Sequence, residues 1–146
     1  MGKNDSIHSF TYKKVGLVSP GERTPWCGGS IISPRHVLTA AHCTYNRHTA
    51  SFMFASAIQV MVGVHDTTNS DGSRYDVLAI RNHPRFDYGT LVYDVSILTT
   101  LDEILFSIST APVCLPASTT SFYTGQVATV IGKNIVAKWW YYSLYI

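Results

Sequence analysis

Charge is scarce in this chain. Asp, Glu, Lys and Arg make up 14% of its 146 residues, against about a quarter in ordinary globular domains. The net charge is only +2. The basic residues are scattered rather than grouped in a block, which argues against a nucleic-acid partner. Long apolar runs are also missing. None approaches the roughly 18 residues of a membrane-spanning helix, so no membrane span is expected. The three cysteines, Cys27, Cys43 and Cys114, form no C-x-x-C pair, which speaks against a zinc ribbon or a dithiol redox motif. Their odd number implies a partner outside the chain or a missing piece. The N-terminus, MGKNDSIHSF, has no apolar core and so is not a secretory signal. Gly2 and Ser6 fit the M-G-x-x-x-[ST] acylation pattern, which is too short to carry an assignment.

What is present is a hydrophobic content of 46% with abundant aromatics, enough for one globular domain with its own core. The local patterns are mostly those of strands. Segments Ala57–Val64, Arg74–Ile80, Asp94–Leu101 and Gln126–Gly132 are rich in β-branched residues and partly alternate. Turn-rich stretches at Ser19–Pro25, Asp66–Ser73, His83–Gly89 and Pro116–Thr119 separate them. Short strands at this spacing predict an antiparallel barrel or sandwich. TAAHC (Thr39–Cys43) has room for a single helical turn. The last residues, Lys133–Ile146, carry two Trp and three Tyr and differ in composition from everything before them.

The chemistry centres on LTAAHC, Leu38–Cys43. A histidine between small residues and a cysteine is equally open to a catalytic base, a metal ligand or simple packing. The neighbouring motifs decide. PWCGGSIISPRHVLTAAHC (Pro25–Cys43) closely resembles the segment around the catalytic histidine of trypsin- and chymotrypsin-like serine proteases. The likeness continues in order. VGVHD (Val62–Asp66) resembles the strand that follows, IRNHPRFD (Ile80–Asp87) the H-P-x-[FY] loop, and YDVSIL (Tyr93–Leu98) the strand holding the catalytic aspartate. APVCLP (Ala111–Pro116) resembles the connector between that family's two barrels. The resemblance covers about Phe10 to Gly132, leaving residues 1–9 and 133–146 unlike the family.

The resemblance implies an all-β chain: an antiparallel Greek-key barrel, the first of a trypsin-like pair, with little or no second barrel. It makes His42 the general base and Asp94 the carboxylate that orients it. A serine hydroxyl is a weak nucleophile and needs such a base to take its proton as it attacks. Cys27 and Cys43 match the family's disulfide beside the histidine. That bond would close a loop of about 15 residues, worth about 3 kcal/mol, and implies an oxidising, extracellular setting. The absent signal peptide is then read as an absent N-terminal segment. Cys114 is expected to be a free thiol or to pair with another chain. His65, Asp66, Asp71 and Asp76 flank a loop where some family members bind calcium. They lack the glutamate at its start and are too few for six to eight oxygen ligands. No metal and no cofactor is expected. His36, His48 and His83 read as surface residues.

The departures matter as much. GDSGG occurs nowhere in the 146 residues, so the nucleophilic serine, the oxyanion hole and the specificity pocket are missing. Ser30, Ser33, Ser73 and Ser96 fall in segments matching non-catalytic parts of the family. The family's I-V-G-G start is absent, and GKN (Gly132–Asn134) stands where G-W-G would open the second barrel. A serine endopeptidase acting on protein or peptide substrates is thus implied by family, and an inactive fragment by content. The expected origin is a protease cut short, its tail derived from a shifted frame or retained intron. The alternative is a non-catalytic pseudoprotease, a protein-binding module able to tether a partner through Cys114.

Overall fold

The computed structural model describes residues 14–64 and 72–116. The candidate strand at Gln126–Gly132, the aromatic tail, the N-terminus, and His65, Asp66 and Asp71 lie outside the described residues. The chain divides into two units, Met1–Cys114 and Leu115–Ile146, and the barrel belongs to the first.

Six strands close that barrel: β1 (Lys14–Val18), β2 (Cys27–Ser33), β3 (His36–Thr39), β6 (Gln59–Val62), β7 (Ser73–Asn82) and β8 (Ser96–Thr100). Their order around it is β1-β2-β3-β8-β7-β6, with β6 paired back to β1, and every pairing is antiparallel. β1, β2 and β3 run consecutively and β6 returns beside β1, which is the Greek-key order. Closure leaves these strands without a free edge. A separate two-stranded ribbon joins β4 (Tyr45–Asn46) to β5 (Ser51–Phe52). No helix among the described residues is long and apolar enough to cross a membrane.

Period-2 alternation places the core. In β8, Ser96, Leu98 and Thr100 are buried while Ile97 and Thr99 are only half so. In β3, Val37 and Thr39 point inward. Leu17, Ile31, Val37, Val60 and Leu98 are fully buried and pack together. The inward polar groups are satisfied locally. Thr39 Oγ1 donates to the Gly28 carbonyl at 2.7 Å, and Thr100 Oγ1 donates to the Asp102 carbonyl at 2.7 Å. Glycine is required at position 29. A Cβ there would lie 2.8 Å from the Leu38 carbonyl oxygen and 2.9 Å from Val37 Cγ1, too close for β2 to pack on β3 unchanged.

β6, β7 and β8 lie within a few residues of the strands that alternation predicts. Asp94, expected to open the strand ending at Leu101, lies instead in the turn two residues before β8. Strands β1, β2 and β3 carried no clear alternation and were found only in the structure. The glycines of CGGSIIS dilute the apolar signal of β2, and tertiary pairing supplies what propensity does not. Because Leu98 is completely enclosed, Leu98→Ala should cost about 2–5 kcal/mol. Denaturant unfolding followed by tryptophan fluorescence would measure it, and a loss well under 1 kcal/mol would show the core to be loosely packed.

Candidate active site

Ala41–Thr44 form one 3₁₀ turn directly after β3, as the TAAHC stretch allowed. So short a helix is not stable alone, and several anchors hold it. The Cys43 N–H donates to the Ala40 carbonyl at 3.2 Å. Thr44, fully buried, has its hydroxyl 2.9 Å from the Ala41 carbonyl and 2.7 Å from Asn82 Oδ1, linking the turn to the end of β7. Trp26 Nε1 donates to the Cys43 carbonyl at 3.1 Å. Cys27 and Cys43 form a disulfide with Cα atoms 5.9 Å apart, tying the start of β2 to this turn. His42 projects from the fixed turn with its side chain 44% exposed.

Asp94 arrives from the other direction. The backbone before β8 is constrained: Leu91 and Tyr93 have φ of 54° and 58°, left-handed values costing about 1–3 kcal/mol each for residues of this size. Three contacts hold that geometry. The Asp87 N–H donates to the Val92 carbonyl at 3.1 Å, the Val95 N–H to the Tyr93 carbonyl at 2.8 Å, and the His83 N–H to the Val95 carbonyl at 3.0 Å. Asp87 is itself held below the usual carboxylate range, chiefly by the Thr90 hydroxyl and then by the Thr90 N–H.

The two residues meet through two hydrogen bonds. His42 Nδ1 lies 2.6 Å from Asp94 Oδ2, and the His42 backbone N–H donates to Oδ1 at 2.8 Å. An ionised carboxylate only accepts, so the proton of this bond sits on Nδ1. Nε2 is therefore the nitrogen with a free lone pair in the neutral ring. Partial burial pushes the Asp94 carboxyl up. The bonds from the His42 ring and backbone, the His42 charge and the Ala41 N–H outweigh it, leaving the group below the ordinary value of 3.8.

Cys43 Sγ lies 3.6 Å from Nε2. Cys27, His42 and Cys43 place their ligand atoms within 4.8 Å of one another, but the two sulfurs are bonded to each other and offer no thiolates to a metal. Among the described residues no serine hydroxyl bonds to His42. Ser96 is buried in β8 with its hydroxyl 3.3 Å from the Arg81 carbonyl. Ser33 pairs with His36 at 2.7 Å in the exposed β2–β3 turn, at the far end of β3 from His42. Ser30 and Ser73 lie within β2 and β7. Cys114 is exposed and outside any disulfide. Asp76 accepts from Gln59 Nε2 at 2.8 Å.

Two features escaped the sequence reading. His36 and His48 are exposed, but His83 is half-buried and stacks on Tyr93 with ring centroids 4.6 Å apart. Tyr45, Phe52, Phe86 and Tyr88 form an aromatic group beside the 3₁₀ turn, with Tyr45 stacked on Tyr88 at 4.7 Å. Neither shows as periodicity, because both gather their rings from short segments far apart in the chain.

The lowered value of Asp94 sets a pH dependence. Its ionised form contributes stability that is complete above the unfolded value of 3.8 and is lost as the pH falls through the lower folded value. The denaturant midpoint should therefore drop more steeply between about pH 5 and pH 2 in the parent chain than in Asp94→Asn. Asp87 contributes equally to both proteins and cancels. Parallel curves would show that the His42 bonds add nothing to folding.

Comparison with known proteins accords with this geometry. The family model described as Trypsin matches residues 1–138. The trypsin of Simulium vittatum is 39% identical over 106 residues, covering 73% of this chain and 40% of that protein. A venom serine protease of Polistes dominula is 34% identical over 119 residues, covering 78% and 40%. The proclotting enzyme of Tachypleus tridentatus is 35% identical over 106 residues, covering 70% and 28%. The chain thus spans two fifths or less of the length of these relatives. With a closed six-stranded barrel, the Cys27–Cys43 disulfide and the family match on the same residues, the chain belongs to the trypsin family of serine proteases.

Proposed function

We propose that the chain is the base-bearing barrel of a serine endopeptidase, with His42 as general base and Asp94 as its orienting carboxylate. The observation that carries this reading is the two-point contact, Nδ1 to Oδ2 at 2.6 Å and backbone N–H to Oδ1 at 2.8 Å. In this reading Nε2 takes the proton of a serine hydroxyl as its oxygen attacks the scissile carbonyl, then returns it to the departing amine. Asp94 fixes the tautomer and stabilises the imidazolium between the two transfers. The substrate is a protein or peptide, and the setting is extracellular, in keeping with the disulfide and with a relative named as a venom protease.

The nucleophile and the oxyanion-hole N–H groups lie outside these 146 residues, which contain no GDSGG. Loss of one triad member already lowers turnover by about 10⁴- to 10⁶-fold, and the oxyanion hole that sustains the residue of activity is missing too. The chain alone is inactive in this reading. A second reading, a non-catalytic protein-binding module, draws on the same missing serine and on the exposed Cys114 thiol.

One experiment separates them. Residues 14–116 are joined to the GDSGG-bearing half of a trypsin-family relative. The fusion should hydrolyse peptide amides, with kcat/KM falling about 10⁴-fold in Asp94→Asn and about 10⁶-fold in His42→Ala. A folded fusion with no His42-dependent turnover would favour the binding module. Turnover of peptide esters by the purified 146-residue chain, lost in His42→Ala, would overturn the claim that it is inactive alone.

A further inference from the structure

Asp94 sits at the apex of a three-residue turn. The Val95 N–H donates back to the Tyr93 carbonyl at 2.8 Å, so the aim of the carboxylate is set by the backbone on either side of it. On one side is Tyr93, whose φ of 58° is rarely adopted by a bulky side chain and persists only where surrounding contacts over-determine it. Those contacts converge on its ring. His83 stacks on it with centroids 4.6 Å apart and planes 9° from parallel. The Arg85 guanidinium carbon lies 4.4 Å from the ring centroid, and Arg85 also donates to the Tyr93 hydroxyl.

The partners are themselves anchored. The Arg85 N–H donates to His83 Nδ1 at 3.2 Å, which fixes the imidazole. The His83 N–H donates to the Val95 carbonyl at 3.0 Å, which ties the stack to the far side of the turn. Residues 83, 85, 93 and 95 thus make a closed frame around Asp94. Relaxing Tyr93 to ordinary backbone angles would rotate the peptide entering Asp94 and swing its carboxylate away from His42.

We propose that Tyr93 is a positioning residue for the His42–Asp94 pair: its ring, held by His83 and Arg85, keeps the backbone that aims the Asp94 carboxylate at His42. The proposal deepens the reading of these two residues as base and orienter, and rests on it.

The test uses the full 146-residue chain and needs no turnover. Long-range proton–nitrogen NMR correlations from the carbon-bound imidazole protons of His42 report which ring nitrogen carries the proton when the ring is neutral. In the parent chain the Nδ1–H tautomer should dominate, and Asp94→Asn should shift the ratio toward Nε2–H. Tyr93→Ala should shift it the same way, on the order of tenfold, as expected when an aromatic stack and a cation–π contact are both removed. Tyr93→Phe keeps the stack and should keep most of the parent ratio. Tyr93→Asn lacks the ring but tolerates the left-handed backbone, and should keep more of the parent ratio than Tyr93→Ala.

A parent ratio in folded Tyr93→Ala would overturn the positioning role, even with stability reduced. If Tyr93→Ala does not fold, Arg85→Ala decides: it should move the ratio several-fold toward Nε2–H, and an unmoved ratio would overturn the role as well. If the parent and Asp94→Asn give the same ratio, the pairing of His42 with Asp94 itself fails, an outcome distinct from failure at Tyr93.

Discussion

Thr39 and Ser96 face each other across the β3–β8 ladder. His42 lies three residues beyond the first, and Asp94 two residues before the second. This register brings together side chains 52 positions apart in sequence. Closing so long a loop for one hydrogen bond would be unfavourable on entropy alone. Here the barrel has already closed it, through four paired positions between β3 and β8 and the core beneath them. The tolerance is small. A slip of one residue would displace Asp94 by about 3.3 Å and turn the inward residues of β8 outward. Burial of Leu98 and the placing of Asp94 are therefore enforced by the same register.

The bond then depends on two short segments that lack the strands' own ladder. The 3₁₀ turn of His42 is secured from below by Thr44, from the side by Trp26 and covalently by Cys27. The turn of Asp94 is secured by the His83 N–H on the Val95 carbonyl, by the Asp87 N–H on the Val92 carbonyl just before it, and by the Tyr93 stack. These supports act on different atoms of the pair. The disulfide and Trp26 fix where the imidazole can be, whereas the left-handed turn fixes where the carboxylate points. Neither set substitutes for the other, because the hydrogen bond needs position and direction together.

How much of this was legible in sequence follows from the range of each signal. β7 and β8 announce themselves through alternation, a property of neighbouring residues, and so does most of β6. His42, Asp94 and the two cysteines were found through local motifs, and the pairing of the cysteines is present in the structure. β1 to β3 were not visible, since their stability comes from partners distant in the chain. The displacement of Asp94 from the strand into the turn was equally hidden, because nothing in YDVSIL marks Tyr93 as left-handed. Glycine or asparagine at that position would have signalled it. A tyrosine gives no such warning, and its cost becomes intelligible only once His83 and Arg85 are seen around the ring.

Among the described residues, every contact that defines the His42–Asp94 pair is made within one barrel, and none requires a nucleophile to be present. The carboxylate has a donor on each oxygen, and the imidazole has its Nδ1 proton engaged. What remains is the Nε2 lone pair on a side chain that is 44% exposed. Its neighbour, the Cys43 sulfur at 3.6 Å, is a weak acceptor with no proton to give once bonded in a disulfide. That sulfur leaves the lone pair unengaged. As the proposed general base, His42 would differ in this from a base assembled by its substrate. In the proposed reading the barrel settles tautomer and direction beforehand, so a second structural unit would have only to bring a hydroxyl to within hydrogen-bond reach of Nε2.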